Sequence, residues 1–246
     1  MRGRVVLLLL LALLSSSGRL PARHGSSSLT LWAWERPEDL RFLAGRDVRV
    51  AVLDRTVLLD AGRMDVQLRH QPLRVDRGTR VMPVVRIETR GAAPIPEDAP
   101  RVAAEILPAA RLPGARALQI DFDARRSDRP FYAALIRSVR ALLPADTRLS
   151  ITALASWCTD DPWIDVREVD EIVPMLFQMG ADGRRVVTRL REDGRFAVDA
   201  CNGQLGLSTD EPWPGLPRAR NVYLFSAAPW RATDLSAWQA GGGALR

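Results

Sequence analysis

The feature that most constrains the fold of this chain is a series of short apolar runs separated by longer polar or amphipathic segments. Runs of roughly four to eight apolar residues bounded by turn residues are typical of buried strands. We number them as predicted strands one to eight: Leu29–Trp34, Val48–Leu53, Val81–Ile87, Ala117–Phe122, Leu149–Ala155, Ile172–Phe177, Gln204–Leu207 and Asn221–Ser226.

Helix-like stretches separate several of these strands. Pro37–Ala44 begins with a proline, which the first turn of a helix tolerates, and Pro100–Ala110 and Arg129–Leu143 carry apolar residues at helical spacing. Strands that alternate with helices pair in parallel, and eight of them fit a closed (β/α)8 barrel of the TIM type. Because helices after strands five to seven are weakly marked, we expect a distorted barrel. The alternative is an open doubly wound sheet, although no glycine-rich phosphate loop follows the first strand.

A turn signal, Asp60-Ala61-Gly62, lies between the alternating runs Thr56–Leu59 and Met64–Arg69. This pattern predicts a β-hairpin inserted after strand two. The hairpin either lines one edge of the barrel mouth or is a loop without a functional role.

The N-terminus has the order of charge, apolar run and small residues found in secretory signals. Arg2 and Arg4 precede the apolar run Val5–Leu14, and Ser15–Gly18 supply the small residues. About ten apolar residues fall short of the roughly twenty that a spanning helix needs. No cysteine lies near the run, which argues against a lipoprotein. We therefore expect a periplasmic or secreted protein, the alternative being an uncleaved N-terminal anchor.

The predicted organisation is a signal peptide over 1–18, a flexible lead-in over 19–27, one barrel domain over 28–240 and a frayed tail over 241–246. The chain that follows the signal is long enough to bury one sizeable core. It contains no second long apolar stretch, so we expect no membrane span after the signal is removed.

All 35 basic residues are arginines, and the formal net charge is +6. A positive excess would suit an anionic partner such as nucleic acid or an acidic polysaccharide. The codon bias of a GC-rich genome explains the same composition without any partner. Because the arginines are interleaved with Asp and Glu and form no basic-aromatic stripe, we expect no nucleic-acid partner.

Two cysteines, Cys158 and Cys201, make an even number, which favours a disulfide in an oxidising compartment. The bond would close a loop of roughly forty residues and contribute about 3–4 kcal/mol in the chain-entropy model. A nucleophilic thiol or a metal site is the alternative. The two histidines, His24 and His70, show no metal-ligand spacing with either cysteine, so we expect no metal and no cofactor.

Polar residues near the ends of predicted strands three and four point to a site inside the barrel mouth. Active sites of TIM barrels lie where the strands end and the following loops begin. In strand four, period-two alternation separates an apolar set, which packs under helices, from a polar set, which faces the interior. The apolar set is Leu118, Ile120 and Phe122, and the polar set is Gln119, Asp121 and Asp123. Strand three adds Arg86 and Glu88 to the same interior by the same alternation.

Three carboxylates, Glu88, Asp121 and Asp123, are the predicted catalytic residues. Arg86 offsets part of their charge, because buried charges are costly unless they are paired. Carboxyl groups held close together have pKa values that move apart, so one of them stays protonated at neutral pH. Glycoside hydrolysis uses this arrangement, with one acid to protonate the leaving oxygen and one carboxylate as base or nucleophile. The alternative is a structural network of arginine and carboxylates.

Seven tryptophans are many for a chain of this length. Aromatic faces stack on sugar rings, although tryptophan also fills protein cores. We predict ligand contact for Trp157 and Trp230, at the ends of strands five and eight, and a core position for Trp32. The predicted substrate-binding residues, all near strand ends, are Glu35, Arg86, Trp157, Gln178 and Trp230.

Four segments carry a resemblance to a known family: Trp34–Leu43 (WERPEDLRFL), Leu118–Ala124 (LQIDFDA), Leu149–Cys158 (LSITALASWC) and Val173–Gly180 (VPMLFQMG). They resemble a family of bacterial exported proteins, domain of unknown function 3142, and the resemblance covers nearly all of the chain after the signal. It implies a glycosidase-like barrel without an assigned activity.

The fourth predicted strand is also distantly similar to that of family 18 chitinases, which carries the motif Asp-x-Asp-x-Glu. Asp121 and Asp123 match the two aspartates of the motif, but Arg125 stands where the acid glutamate would be. Either Asp123 or Glu88 then takes the role of the acid, or the barrel only binds sugar.

The chitinase motif on the sixth strand is Met-x-Tyr-Asp. Met175 matches it, while Phe177 and Gln178 replace the tyrosine and the aspartate. The pair that positions the acetamido group of a chitinase substrate is therefore missing, and the resemblance does not imply substrate-assisted chemistry.

Two functional hypotheses follow, both with a polysaccharide or oligosaccharide as the partner. The first is a glycoside hydrolase-like enzyme that acts on an envelope or extracellular glycan. The second is a non-catalytic saccharide-binding or envelope-assembly protein on a degenerate hydrolase barrel. An open cleft with the carboxyl groups of Glu88 and Asp123 about 5–10 Å apart would favour hydrolysis. Carboxylates locked to Arg86 in a closed interior would favour binding or a structural role.

Overall fold

The structure of the chain, a computed structural model, describes residues 28–211 and 219–240. The predicted signal peptide over 1–18, the lead-in over 19–27 and the tail over 241–246 lie outside the described residues. In the part that is described, no helix is both long enough and apolar enough to cross a membrane.

Eight parallel strands close into a barrel, as predicted. The strands of the described residues are β1 (Ser28–Ala33), β2 (Glu38–Asp39), β3 (Val48–Asp60), β4 (Arg63–Leu68), β5 (Leu73–Arg74), β6 (Arg80–Arg90), β7 (Ala117–Asp121), β8 (Arg148–Leu154), β9 (Glu171–Met175), β10 (Gln204–Ser208) and β11 (Asn221–Phe225). Around the barrel the order is β1, β3, β6, β7, β8, β9, β10 and β11, and β11 pairs with β1 to close the ring. All eight predicted strands are barrel strands, and the alternative of an open doubly wound sheet is wrong.

The helices outside the barrel are fewer than its strands, so the barrel is distorted, as expected. The α-helices of residues 28–211 and 219–240 are α1 (Ala99–Ala110), α2 (Arg129–Leu142), α3 (Gly183–Asp193) and α4 (Ala232–Ala240). The first two follow β6 and β7 and match the predicted helices to within one residue at each end.

The helix predicted over Pro37–Ala44 is wrong. The segment contains the short strand β2, which pairs with β5, followed by a single 3-10 turn. Leu40 and Leu43 are buried three residues apart, a spacing that one 3-10 turn produces as well as an α-helix does. The carboxylate of Glu38 is buried too and accepts a hydrogen bond from the backbone N–H of Trp230, which holds the segment against the end of the barrel.

The predicted β-hairpin is present, and it prolongs the second barrel strand instead of following it. β3 continues through a register irregularity between Leu53 and Arg55 and stays paired with β6, while β4 returns antiparallel on its other side. Ala61 and Gly62 form the turn with φ angles of 47° and 83°. Two-residue hairpin turns need positive φ at such positions. The result is a three-stranded extension beyond the carboxyl ends of the other barrel strands.

Alternation along the strands divides the apolar residues between two cores, as predicted for strand four. Leu118, Ile120 and Phe122 point outward into the core between the barrel and the helices. Phe122 meets Tyr132 of α2 edge-on, with ring centroids 5.0 Å apart. The smaller core inside the barrel consists of Trp32, Ala51, Met82, Val84, Val173, Tyr223 and Phe225. Trp32 therefore has the core position that was predicted for it.

A buried polar network fills the amino-terminal end of the barrel. Glu171, at the start of β9, accepts hydrogen bonds from Ser150 of β8, Gln204 of β10 and Tyr223 of β11. The amide of Gln119 on β7 donates to the hydroxyl of Ser150 at 3.1 Å. Because its members are partnered, the network can remain in a low-dielectric interior, and it joins five consecutive barrel strands.

Cys158 and Cys201 form the predicted disulfide, with both residues buried. The bond joins a 3-10 turn after β8 to a 3-10 turn before β10, and the two cysteines are 43 residues apart in sequence. No α-helix lies between β8 and β9, a stretch that the structure describes throughout. The disulfide-linked turns pack on the apolar core where a helix would otherwise lie.

Candidate active site

Arg86, near the end of β6, is the centre of a group of charged residues at the barrel mouth. Its guanidinium contacts three carboxylates: Nη1 lies 2.5 Å from Oδ2 of Asp121, Nε lies 3.1 Å from Oε1 of Glu88, and Nη2 lies 3.9 Å from Oδ2 of Asp123. The strand register places Arg86 directly beside Asp121, and residues two apart on a strand share a face. The structure therefore brings the four residues together, and we call them the carboxylate cluster.

Asp121 is the buried member of the carboxylate cluster. Only 3% of its side chain is exposed. Its Oδ2 is bound by Arg86, and its Oδ1 accepts a hydrogen bond of 2.7 Å from the hydroxyl of Thr152. Burial of a carboxylate without such partners would be strongly unfavourable. Both oxygens of Asp121 are occupied, so this residue positions Arg86 and does not face a ligand.

Asp123 and Glu88 are open to solvent, with 49% and 41% of their side chains exposed. Glu88 accepts a hydrogen bond from Arg86, whereas Asp123 accepts none from the described part of the chain. Asp123 lies two residues past Asp121, beyond the last residue of β7, which places it on the rim of the barrel. These two carboxyl groups are the members of the cluster that a ligand can reach.

The surroundings of Asp123 raise the pKa of its carboxyl group above the ordinary value. Partial burial is the largest cause, the negative charge of Asp121 adds to it, and the positive charge of Arg86 opposes it. Burial lowers the pKa of the Arg86 guanidinium, but the neighbouring carboxylates outweigh burial, so that pKa is raised overall. A carboxyl group with a raised pKa beside a second carboxylate is the arrangement that general acids show in enzymes.

Glu88 and Asp123 both lie beside the guanidinium of Arg86. One oxygen of each contacts that guanidinium, so those two oxygens lie within roughly 9 Å of each other, below the upper limit of roughly 9.5 Å between the carboxyl groups of glycosidases. The cluster is open on the side of these two residues. Arg86 holds Glu88 by a hydrogen bond and contacts Asp123 at a longer distance.

An aromatic wall stands beside the carboxylate cluster and consists of Trp32, Trp34, Phe177 and Phe225. Trp34 packs on Arg86, with the guanidinium carbon 5.4 Å from the ring centroid. Trp34 is absent from the predicted substrate-binding set. Since Trp32 and Trp34 are two residues apart at the end of the first strand, the period-two rule already places both on one side. That signal could have assigned Trp34 to the barrel mouth.

Arg69, just after β4, fixes the backbone of Trp34. Its guanidinium donates a hydrogen bond to the carbonyl oxygen of Trp34. Nearby, Glu35 accepts hydrogen bonds of 2.8 and 3.0 Å from the backbone N–H groups of His70 and Gln71. Glu35, predicted to bind substrate, thus connects the hairpin to the loop after β1. The structure does not bring it to the carboxylate cluster.

The two tryptophans predicted to contact ligand are both buried. Trp157 packs edge-on against Trp163, with ring centroids 5.1 Å apart. Trp230 donates its indole N–H to the carbonyl oxygen of Trp32 at 2.7 Å. Both rings are therefore largely enclosed, although Trp157 also lines a cleft among the loops that follow β7, β8 and β9.

Gln178 lies on an exposed turn after β9, with a positive φ of 50°. Its backbone N–H donates to Oε2 of Glu211 at 3.1 Å. Nothing in the structure brings its side chain to the carboxylate cluster, and its contact with substrate stays a prediction.

Arg125, at the position of the chitinase acid, has a structural contact instead. Its guanidinium binds both carboxylate oxygens of Asp128, at 2.9 and 3.1 Å. It also reaches the hydroxyl of Thr89 and the carbonyl oxygen of Gly91. Arg125 therefore ties the start of α2 to the end of β6.

Comparison with known proteins gave no match to a family model, to a curated protein or to a solved structure. The function is therefore argued from the geometry of the site.

Proposed function

We propose that the protein is a glycoside hydrolase-like enzyme that acts on a glycan of the cell envelope or outside the cell. The observation that carries the proposal is the pair Asp123 and Glu88 at the carboxyl end of a TIM-type barrel. Asp123 is half-exposed, accepts no hydrogen bond from the described residues and has a raised pKa, while Glu88 is held beside it by Arg86. The location outside the cytoplasm rests on the predicted signal at residues 1–18.

In this proposal Asp123 is the general acid. Its carboxyl group gives a proton to the oxygen of the glycosidic bond as that bond breaks, and the raised pKa keeps the proton available. Asp121 is a positioning residue, because its negative charge favours the protonated form of Asp123.

Glu88 acts on the opposite side of the sugar ring. As an ionised carboxylate it either activates a water molecule or attacks the anomeric carbon itself. Arg86 orients it through the hydrogen bond of 3.1 Å from Nε. Trp34, which is partly exposed next to these groups, supplies an aromatic ring for stacking on a sugar.

A second candidate function is saccharide binding without cleavage. It is favoured by the contacts of Arg86, which engage every carboxylate of the cluster, and by Arg125 in place of the acid of the chitinase motif. A barrel of this kind would keep the partly exposed members of the aromatic wall, Trp34 and Phe177, for binding and use the cluster to position hydroxyl groups.

The release of reducing ends from a panel of polysaccharides, with the chain lacking residues 1–18 as the enzyme, tests the first proposal. Once a substrate is found, Asp123→Asn and Glu88→Gln are each expected to lower kcat by about 10²–10⁴-fold. The matched control is Asp146→Asn, which removes an exposed carboxylate at the amino-terminal end of β8 and is expected to leave kcat unchanged.

Two results would decide against hydrolysis at this site. Full activity in Asp123→Asn would show that the acid lies elsewhere. Binding of a glycan that Trp34→Ala weakens, with no bond cleaved by the unaltered protein, would establish the second candidate instead.

A further inference from the structure

A cleft with a volume of about 450 Å³ opens next to the carboxylate cluster, among the loops that follow β7, β8 and β9. Its lining begins at Ala124, the residue directly after Asp123, and includes the floor residues Ser156 and Trp157. The cleft therefore lies at the carboxyl end of the barrel, where TIM barrels bind their substrates. None of the predicted catalytic residues lines it.

Four arginines and three aspartates line the cleft. Together with two ion-pair partners outside the lining, Asp128 beside Arg125 and Arg189 beside Asp160, the group has five arginines and four aspartates, which leaves one positive charge in excess. Arg129 binds both oxygens of Asp161, and hydrogen bonding from Arg129 lowers the pKa of that carboxyl, so the pair stays charged. Arg185 lies 2.8 Å from carboxylate oxygens of both Asp160 and Asp182. Arg189, outside the lining, also lies 3.5 Å from Asp160, so three arginines neutralise the three aspartates.

Arg126 is the arginine of the cleft lining that takes part in none of these close ion pairs. Its side chain is 85% exposed, and its nearest carboxylate oxygen, on Asp161, is 3.8 Å away. No hydrogen bond ties its guanidinium to the described residues, whereas Arg125 beside it is bound to Asp128. An exposed guanidinium with a free fork of N–H groups binds a carboxylate bidentately.

Ser156 offers a second group to a ligand. The residue is only 8% exposed, it lines the cleft, and its hydroxyl has no hydrogen-bond partner in the part of the chain that the structure describes. Its oxygen is accessible to solvent in the cleft, so it can donate a hydrogen bond to a ligand or accept one from it. A polar atom of a ligand seated in the cleft would satisfy this hydroxyl.

We infer that this cleft is a subsite for a carboxylate-bearing sugar unit, a uronic acid, with Arg126 binding the carboxylate and Ser156 bonding to a ring substituent. The excess of one positive charge matches the single negative charge of a carboxylate, and it would leave one charge of a doubly charged phosphate unbalanced. The inference rests on the proposed function, because it names the glycan class that reaches Asp123.

Isothermal titration calorimetry with uronic-acid trisaccharides, each compared with its carboxyl-reduced neutral form, tests the subsite. The unaltered protein is expected to bind the acidic form of at least one pair about tenfold more tightly, as one charge-assisted hydrogen-bonding contact implies. Arg126→Gln is expected to abolish that preference and Arg126→Lys to keep part of it. Arg77→Gln, an exposed arginine before β6 at the other end of the barrel, is the control and is expected to keep all of it.

Equal binding of both forms, or a preference that survives in Arg126→Gln, would overturn the subsite. In that case a loss of binding in Trp34→Ala would still support a glycan ligand at the barrel mouth. If no trisaccharide binds, the subsite is overturned as well, while the polysaccharide panel decides the proposed hydrolysis separately. Thermal unfolding of each variant checks that it folds, which is expected because Arg126 is largely exposed.

Discussion

At the scale of single residues, Asp121 shows how the barrel interior accommodates a charge. Its carboxylate is bound by Arg86 on one side and by Thr152 on the other. Asp121→Asn removes the negative charge and leaves Arg86 with only its longer contacts to Glu88 and Asp123. We therefore expect the free energy of unfolding to fall by about 2 kcal/mol.

Denaturant unfolding measures the effect of Asp121→Asn. Asp146→Asn, which removes one partner of an exposed ion pair with Arg116, is the control and should change the stability by less than about 1 kcal/mol. Equal effects of the two substitutions would show that the buried pair does not stabilise the fold.

Asp123, in contrast to Asp121, lowers the stability of the folded protein when its carboxyl group is ionised. Because the pKa of its carboxyl is raised in the folded protein, the folded state binds this proton more tightly than the unfolded chain does. The stabilisation that comes from this bound proton is fully present below the ordinary pKa of 3.8. It is lost as the pH rises through the raised pKa of the folded protein. Asp123→Asn resembles the protonated form, so we expect it to raise Tm at neutral pH and to have little effect at about pH 3.

Thermal unfolding of Asp123→Asn and of the unaltered protein, from acidic to neutral pH, tests the sign of this difference in Tm. A lower Tm for Asp123→Asn at neutral pH would mean that the ionised carboxylate is stabilised by Arg86 more than burial and Asp121 destabilise it.

At the scale of elements, the hairpin turn offers a simple test. Ala61 has a φ of 47° and precedes Gly62 at 83°. Asparagine tolerates positive φ better than alanine does, because its short polar side chain forms hydrogen bonds with the local backbone. Asn-Gly is the preferred sequence for this two-residue turn. We therefore expect Ala61→Asn to raise the free energy of unfolding by about 0.5–1 kcal/mol. Gly62→Ala is the reverse case and should lower it, as measured in the same denaturant titration.

The disulfide has the role of an element in this fold, because it fastens the turns that pack where a helix is absent. Replacing Cys158 and Cys201 together with serine removes a cross-link across 43 residues. The expected loss of unfolding free energy is about 3–4 kcal/mol in the chain-entropy model. Unfolding with and without a reductant should reproduce this loss in the unaltered protein, and a stability unchanged by reductant would contradict it.

Element prediction failed where local signals were ambiguous. The segment Pro37–Ala44 has a proline start and two buried leucines three apart, which suit a helix and a 3-10 turn equally. Pairing of β2 with β5 and burial of Glu38 decide its conformation, and both involve partners distant in sequence. By contrast, α1 and α2 are long enough for their apolar spacing to predict them nearly to the residue.

At the scale of the whole molecule, barrel closure depends on the network around Glu171. This carboxylate accepts hydrogen bonds from residues on β8, β10 and β11. Glu171→Ala would leave the hydroxyl of Tyr223 and the amide of Gln204 without this acceptor, and we expect a loss of about 3–5 kcal/mol. The control is Glu192→Ala on the exposed side of α3, which should have little effect in the same unfolding experiment.

The sequence by itself favoured a closed parallel barrel over an open sheet. It determined the eight strands and the interior side of Arg86, Glu88, Asp121 and Asp123. These properties follow from local periodicity, which is fixed by the geometry of a strand. It also indicated the disulfide, because two cysteines allow only one intramolecular pairing.

Only the tertiary structure decided the roles within the site. The point at which β7 ends buries Asp121 and leaves Asp123 open, and neighbouring loops enclose Trp157 and Trp230 while Trp34 lies on Arg86. The cleft of Arg126 likewise exists only because three separate loops meet. Exposure, pairing and pKa depend on atoms brought from distant parts of the chain, and no periodicity within a single segment records them.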